Sequence, residues 1–334
     1  MRLLRKITFP ISLVYALVVH IRNYLYDVGF LKSRSFDIPV ICIGNLSVGG
    51  TGKTPMIELL ISLFQHSHSI AVLSRGYKRK SKGFLIGRAE NTVEELGDEP
   101  FQIHSKFPKV LVAVDANRTR GILELKKRGT PDVILLDDAF QHRKVRPGYA
   151  ILLTTYSNLY TDDWYLPTGN LRDAKKEAKR ANAIVVTKCP SSLSQMEQDA
   201  IINRIKPTKN QRIFFSSLAY DLPVRDTKAI SWENLRNLRI TLVTGIAYPE
   251  PLIRWLKNKG LVFEHLRFGD HHYFTENELA LFKSKECILT TEKDYVRLTG
   301  KLENLYYVPV RHRFLNSGQD ILTKELSNFM MQGS

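Results

Sequence analysis

Residues 38–54 read Ile38-Pro-Val-Ile-Cys-Ile-Gly-Asn-Leu-Ser-Val-Gly-Gly-Thr-Gly-Lys-Thr54, a short β-branched stretch that breaks into glycines and ends in Gly52-Lys53-Thr54. Residues 40–43 have the unbroken apolar character of a buried parallel strand, and residues 57–64 carry apolar side chains at helical spacing. A strand, a glycine-rich loop and a helix start form a phosphate-binding layout. In such a loop the backbone N–H groups of Ser47, Val48, Gly49, Gly50, Thr51 and Gly52 and the positive end of the helix dipole favour an anion. Lys53 can then reach the terminal phosphates and the Thr54 hydroxyl can ligate magnesium, so the expected ligand is a nucleoside triphosphate. The general pattern calls for glycine five positions before Gly52, where this chain has Ser47; Gly49 and Gly50 supply the backbone freedom instead.

A chain of 334 residues with 43% apolar content has room for two ordinary domains with real cores. Cys42, Cys189 and Cys287 lie far apart, and no histidine cluster has metal-ligand spacing. A disulfide framework and a zinc site are therefore not indicated, which suits a reducing compartment. The net charge of +16 implies attraction to something anionic. Charge is the sole support for a nucleic-acid partner, and without an aromatic-rich binding motif or zinc module that partner is not expected.

The first residues bear on the choice of anionic partner. Met1-Arg-Leu-Leu-Arg-Lys6 leads into residues 7–21, with eleven apolar residues in fifteen. The run holds Pro10, reaches His20 and Arg22, and is too short for the roughly 20 apolar residues of a spanning helix. No small-residue cleavage site follows it. Basic flanks with Tyr15, Tyr24 and Tyr26 nearby fit an in-plane membrane anchor; a helix packed on the core is the alternative.

Further along, strands are expected at 70–73, 110–114, 133–137, 149–154 and 183–187, with helices between them. That alternation predicts a doubly wound parallel α/β sheet. The strand at 70–73 empties into Ser74-Arg75-Gly76-Tyr77, a basic loop of the kind found at the ligand-binding edge of an open sheet. Asp98 and Glu99 fall at the start of a helix expected over 100–107, where acidic residues serve as caps or do chemistry. Arg118 and Arg120 follow a strand, placed to clamp phosphate or to face solvent. Asp137 and Asp138 close a buried strand, the place from which a P-loop site holds magnesium or its waters. The expected organisation is a helix at 1–30, a P-loop unit at 31–210, an extended linker at 211–236 and a smaller α/β unit at 237–334. The smaller unit carries His271-His272 in a loop, where function often resides.

Taken together and in order, residues 47–55, Ser74-Arg-Gly-Tyr77, Gly97-Asp-Glu-Pro100, Leu136-Asp-Asp-Ala-Phe-Gln-His142, Asp270-His271 and Thr291-Glu-Lys-Asp294 resemble the tetraacyldisaccharide 4′-kinase family of lipid A biosynthesis over nearly the whole chain. The resemblance implies ATP- and Mg2+-dependent phosphorylation of the 4′-hydroxyl of a tetraacylated disaccharide 1-phosphate. It also implies a membrane-associated N-terminal helix at the cytoplasmic face of the Gram-negative inner membrane, in contact with its lipids. By the same likeness Asp98 and His271 correspond to a catalytic pair, and Asp137 and Asp138 to the acids that order magnesium. From the residues alone, a membrane-associated P-loop ATPase acting as a switch or transport motor would account for the loop and the N-terminal helix equally well.

Overall fold

The structure, a computed structural model, describes residues 7–225 and 228–332. The basic hexapeptide at 1–6 lies outside the described residues. Helix α1 spans Phe9–Asp27. The larger sheet then builds from β1 (Val40–Asn45), β2 (Ile70–Ser74), β3 (Leu85–Ile86), β4 (Leu111–Val114), β5 (Val133–Asp137), β6 (Tyr149–Thr155), β7 (Ala183–Thr187) and β8 (Arg212–Tyr220). Its helices include α2 (Lys53–Phe64), α3 (Val93–Leu96), α4 (Asp98–Lys106), α5 (Arg118–Gly129) and α6 (Gln195–Ile205).

Strand β1 is buried on both faces because its side chains alternate between two cores. Ile41 and Ile43 pack with Met56, Ile57, Leu60 and Ile61 of α2, while Val40 and Cys42 pack with Ile122 and Leu125 of α5. A strand covered by helices on both sides must read as the continuous apolar run seen in the sequence. The order β8-β7-β6-β1-β5-β2-β4 is parallel throughout and changes direction beside β1, and in open sheets of this kind ligands bind outside the carboxyl ends of the strands at such a point.

The chain next enters a second sheet through β9 (Val224–Arg225), β10 (Lys228–Ala229), α7 (Trp232–Arg236), β11 (Ile240–Thr244), α8 (Glu250–Asn258), β12 (Phe263–Arg267), α9 (Glu276–Lys283), β13 (Cys287–Thr291), α10 (Glu292–Leu298) and β14 (Leu305–Val308). These strands are ordered β10-β9-β14-β13-β11-β12. The chain then returns. Strand β15 (Val310–Phe314) pairs antiparallel with β8 at the edge of the larger sheet, and α11 (Gly318–Gln332) buries Leu322, Leu326 and Met330 in the core that α2 shares.

The boundaries expected at 211 and 237 therefore do not coincide with sheet membership. Most of the expected linker's first half is β8, and residues 310–332 belong with the larger sheet. Local periodicity could not place them, since the partner of β8 lies on the far side of the entire second sheet. The turn at 291–294 is likewise the start of a helix, with the Thr291 side chain capping the N–H of Asp294.

Helix α1 packs in the opposite sense to an ordinary surface helix. Its Ser12 and Asn23 are buried, hydrogen bonded to Thr168 and Asp173, while Ile11, Leu13, Val14, Leu17, Val18 and Ile21 are exposed. Hydrophobic collapse would turn those faces around. No helix among the described residues is long and apolar enough to cross a membrane.

Candidate active site

The loop after β1 is shaped by two left-handed glycines, Gly49 at φ +118° and Gly52 at φ +90°, conformations that an L side chain would strain. Its walls are braced from several sides. Val48 N–H donates to the Asn170 carbonyl at 2.7 Å, Asn45 Nδ2 to Thr51 Oγ1 at 2.9 Å, and Thr187 Oγ1 to the Thr51 carbonyl at 2.8 Å. Ser47 is buried with its backbone bridged to Leu171, and its Oγ has no protein partner among the described residues. Val48 points to solvent, Gly50 lies in the turn, and Lys53 and Thr54 form the half-buried first turn of α2.

The acidic pair arrives beside this loop by sheet register. Strand β5 lies against β1 with Asp137 opposite Ile43. Asp137 is deeply buried, and burial, then the neighbouring charge of Asp138, pushes its carboxyl up to about 6; Ser74 Oγ donates to it at 2.8 Å. Asp138 behaves oppositely. Burial opposes its charge, but Lys53, 3.6 Å from Oδ1, and the Arg172 guanidinium, which binds both carboxylate oxygens, hold it below the usual range.

Arg172 was not singled out in the sequence, where it sits in an unremarkable charged stretch. It also binds Asn45 Oδ1 and so ties the acidic pair to the end of β1. Of the two arginines placed to clamp phosphate or to face solvent, Arg118 is buried and donates to the carbonyls of Asp115 and Asp137 at 2.9 and 3.1 Å. Arg120 forms a two-pronged pair with Asp115. Both are engaged in holding strand ends.

No group of three or more His, Cys, Asp or Glu forms a protein-only metal cage among the described residues. Magnesium carried on phosphates needs only one or two carboxylates, so Asp137, Asp138 and the Thr54 hydroxyl make a chemically suitable donor set.

Asp98 begins α4 and faces the second sheet. Gly97 makes this approach possible: at φ +90°, it lies so close to the Ser74–Tyr77 loop that a Cβ would come within 3.1 Å of the Tyr77 carbonyl. His271, itself left-handed at φ +61°, places Nδ1 2.7 Å from Asp98 Oδ2. Lys293 Nζ is 2.9 Å from the other ring nitrogen. With the Lys293 ammonium donating to Nε2, the neutral ring carries its proton on Nδ1 toward Asp98, the shorter of that nitrogen's two contacts; the Arg297 Nη2 stands 3.1 Å from the same nitrogen and spends its N–H groups on the carboxylate.

Arg297, also unforeseen from sequence, donates its Nε to Asp98 Oδ1 at 2.8 Å and its Nη2 to Oδ2. Burial works against ionising Asp98, but these arginine contacts, with those of His271, hold its carboxyl below the usual range. The tetrapeptide at 291–294 supplies much of the surrounding frame. Glu292 binds Lys106, Lys293 binds His271 and Glu99, and Asp294 accepts from the Gly245 N–H and Thr291 Oγ1. His272 stands apart from Asp98, bound to Glu278 and stacked on Phe268.

Comparison with known proteins agrees along the full length. A curated tetraacyldisaccharide 4′-kinase of Flavobacterium johnsoniae is 51% identical over 328 residues, covering 96% of each chain. One from Bacteroides thetaiotaomicron is 40% identical, covering 99% of this chain and 94% of the relative. A crystal structure of LpxK from Aquifex aeolicus in complex with ATP superposes with a TM-score of 0.81 at 32% identity, covering 98% of this chain and 99% of that one. The family model described as tetraacyldisaccharide-1-P 4′-kinase matches residues 4–329, and the chain belongs to that family.

Proposed function

We propose that this chain transfers the γ-phosphate of ATP to the 4′-hydroxyl of a tetraacyldisaccharide 1-phosphate. Loop 47–54 holds the nucleotide, and Asp98 with His271 serves the acceptor. The observation that supports this most directly is the meeting of three groups at the carboxyl end of the sheet: Lys53 from α2, Asp138 just after β5 at 3.6 Å, and the Asp137 carboxyl beside it.

Lys53 exchanges its contact with Asp138 for the β- and γ-phosphates, and the loop amides hold the phosphate oxygens. Thr54, Asp137 and Asp138 would hold magnesium, which neutralises charge on the transferring group when bound.

Asp98 accepts the hydroxyl proton as the 4′-oxygen bonds to the γ-phosphorus and the bond from that phosphorus to the bridging oxygen breaks, releasing ADP. Three donors occupy its carboxylate, which has about four acceptor positions, so one position on Oδ1 is left for that proton. A carboxylate held this far toward its ionised form is a weak base, adequate because phosphoryl transfer depends mainly on positioning and charge.

The outward apolar face of α1 supports a second part of the reading: the enzyme rests on a membrane surface, where an acylated substrate resides. The excess of basic residues would add attraction to anionic lipid. On this reading that surface is the cytoplasmic face of the Gram-negative inner membrane, as the resemblance implies.

The test is to incubate the protein with ATP, magnesium and the detergent-solubilised acyl disaccharide 1-phosphate, and to weigh the product. A lipid one phosphate heavier is expected. Release of inorganic phosphate with an unchanged lipid would overturn the proposal.

A further inference from the structure

Besides Asn45, which binds the Thr51 hydroxyl, two buried side chains outside the acidic pair and the Asp98 cluster hydrogen bond to the phosphate loop, and both act on backbone carbonyls. Thr187, at the end of β7, donates to the Thr51 carbonyl. His312, on β15, has Nε2 2.9 Å from the Gly52 carbonyl and Nδ1 3.0 Å from Ser216 Oγ. A carbonyl can only accept, so Nε2 carries the ring proton and Nδ1 accepts from Ser216. His312 is only 3% exposed, and burial pushes its ring down to about 4, so it keeps this neutral form through the physiological range.

In a trans peptide unit the carbonyl and the following N–H point in opposite directions. A pinned Thr51 carbonyl therefore aims the Gly52 N–H away from Thr187, and a pinned Gly52 carbonyl aims the Lys53 N–H away from His312. Both pins lie inside the fold, so both amides turn outward at the N-terminus of α2, where N–H groups have no intrahelical partner. The same Gly52 carbonyl also accepts from Met56 N–H at 3.1 Å, which anchors the plane to the first helical turn. Gly52 is needed for the approach, since a Cβ there would lie 2.9 Å from His312 Nε2.

We infer that His312 is a positioning residue for nucleotide binding: it holds the peptide between Gly52 and Lys53 so that the Lys53 N–H faces the phosphates, and Thr187 does the same for the peptide before it. This inference rests on the reading of residues 47–54 as the ATP loop. It makes the loop's geometry depend on a strand that the chain reaches only after completing the second sheet.

The test uses the full chain as wild type, Lys53→Ala, His312→Ala, His312→Gln and Thr187→Val. Affinity for a fluorescent ATP analogue with magnesium, kcat, KM for ATP and for the acyl disaccharide phosphate, and melting temperature are measured for each. His312→Ala is expected to weaken nucleotide binding and raise the ATP KM by about ten-fold or more, with the acceptor KM unchanged. His312→Gln, whose amide N–H can reach the same carbonyl, should recover most of that loss. Thr187→Val, which replaces a hydroxyl by a methyl of the same shape, should shift the ATP KM in the same direction.

Native ATP affinity in His312→Ala, whatever its melting temperature, would overturn the inference, as would His312→Gln behaving no better than His312→Ala. Should His312→Ala fail to fold, unchanged ATP affinity in Thr187→Val has the same force. A wild type that does not bind the analogue would instead overturn the nucleotide reading itself. Wild-type binding that Lys53→Ala weakens and His312→Ala leaves intact sinks only the role of His312.

Discussion

His271 donates its Nδ1 proton to Asp98 at 2.7 Å across the junction of the two sheets, from a position 173 residues further along the chain. The Lys293 ammonium on the opposite nitrogen favours the tautomer that carries its proton on Nδ1. A loop of the second sheet thus fixes a carboxylate of the first. If the two act as one unit, Asp98→Ala and His271→Ala should each lower kcat with little change in the ATP KM. The double mutant should then lose much less than the product of the single losses. Single-turnover rates across the four-member cycle decide this, and independent, multiplicative losses would break the pair.

The buried pair of Asp98 and Arg297 makes a separate prediction about stability. Removing one partner strips the other of its two-pronged pairing in a site where Asp98 and Arg297 are 6% and 4% exposed, leaving Arg297 the 3.4 Å contact with Asp294 as its counter-charge, or Asp98 only the His271 hydrogen bond. Asp98→Ala and Arg297→Ala should each cost about 3–5 kcal/mol, well above the roughly 1 kcal/mol of a lost helix cap. Urea unfolding with the double mutant alongside is the measurement, and a double loss close to either single loss is expected. A cost near 1 kcal/mol for Asp98→Ala would mean that the carboxylate only caps α4.

Lys53 sits on the first turn of α2, paired only loosely with Asp138 at 3.6 Å. Lys53→Ala should therefore leave the melting temperature within a few degrees of wild type and reduce turnover by about 100-fold or more, as expected for removal of a charge that acts in the transition state. Near-native turnover at saturating ATP would remove the lysine from the phosphate site.

The outward face of α1 can be altered without touching the core. Val14→Glu and Leu17→Glu replace exposed side chains, so stability should change by no more than about 0.5 kcal/mol. Co-sedimentation with anionic vesicles should fall sharply, and raising the salt concentration should weaken wild-type binding. Full retention on vesicles by the double glutamate variant would argue against an interfacial helix.

Glu58 on α2, Lys106 on α4 and Glu292 on α10 form a buried triad, with Lys106 Nζ 2.6 Å from Glu58 and 2.5 Å from Glu292. One cation cannot balance two carboxylates, and burial, then the charge of Glu58, raises Glu292 from 4.5 to about 7. Between those values the folded chain holds a proton that the unfolded chain has released, so stability falls as pH rises through the window. Glu292→Gln should flatten this decline between pH 5 and 7, read from melting temperatures across that range. An equally steep decline in the variant would place the titrating group elsewhere.

What the sequence determined by itself was the part of the site that lies in contiguous residues. Residues 38–54 hold the strand, the glycines and the first turn of the helix together, and burial of β1 on both faces made its apolar run legible. Asp137 and Asp138 were legible for the same reason, since a buried parallel strand ends where they begin. Asp98 and His271 were carried by a family resemblance, because a capping aspartate and a loop histidine have no local signature of partnership.

Tertiary structure alone decided which side chains complete these groups. Arg172, Arg297 and His312 come from a loop, a short helix and an edge strand, and each reaches its partner through pairing over long sequence separations. The return of β15 to β8 is the clearest case. A strand's partner is set by which sheet edge remains open after the rest has folded, and no periodicity in residues 310–314 records that. The facing of α1 is the converse: its polar residues bind Thr168 and Asp173, so contacts elsewhere in the chain decided which face is left outward.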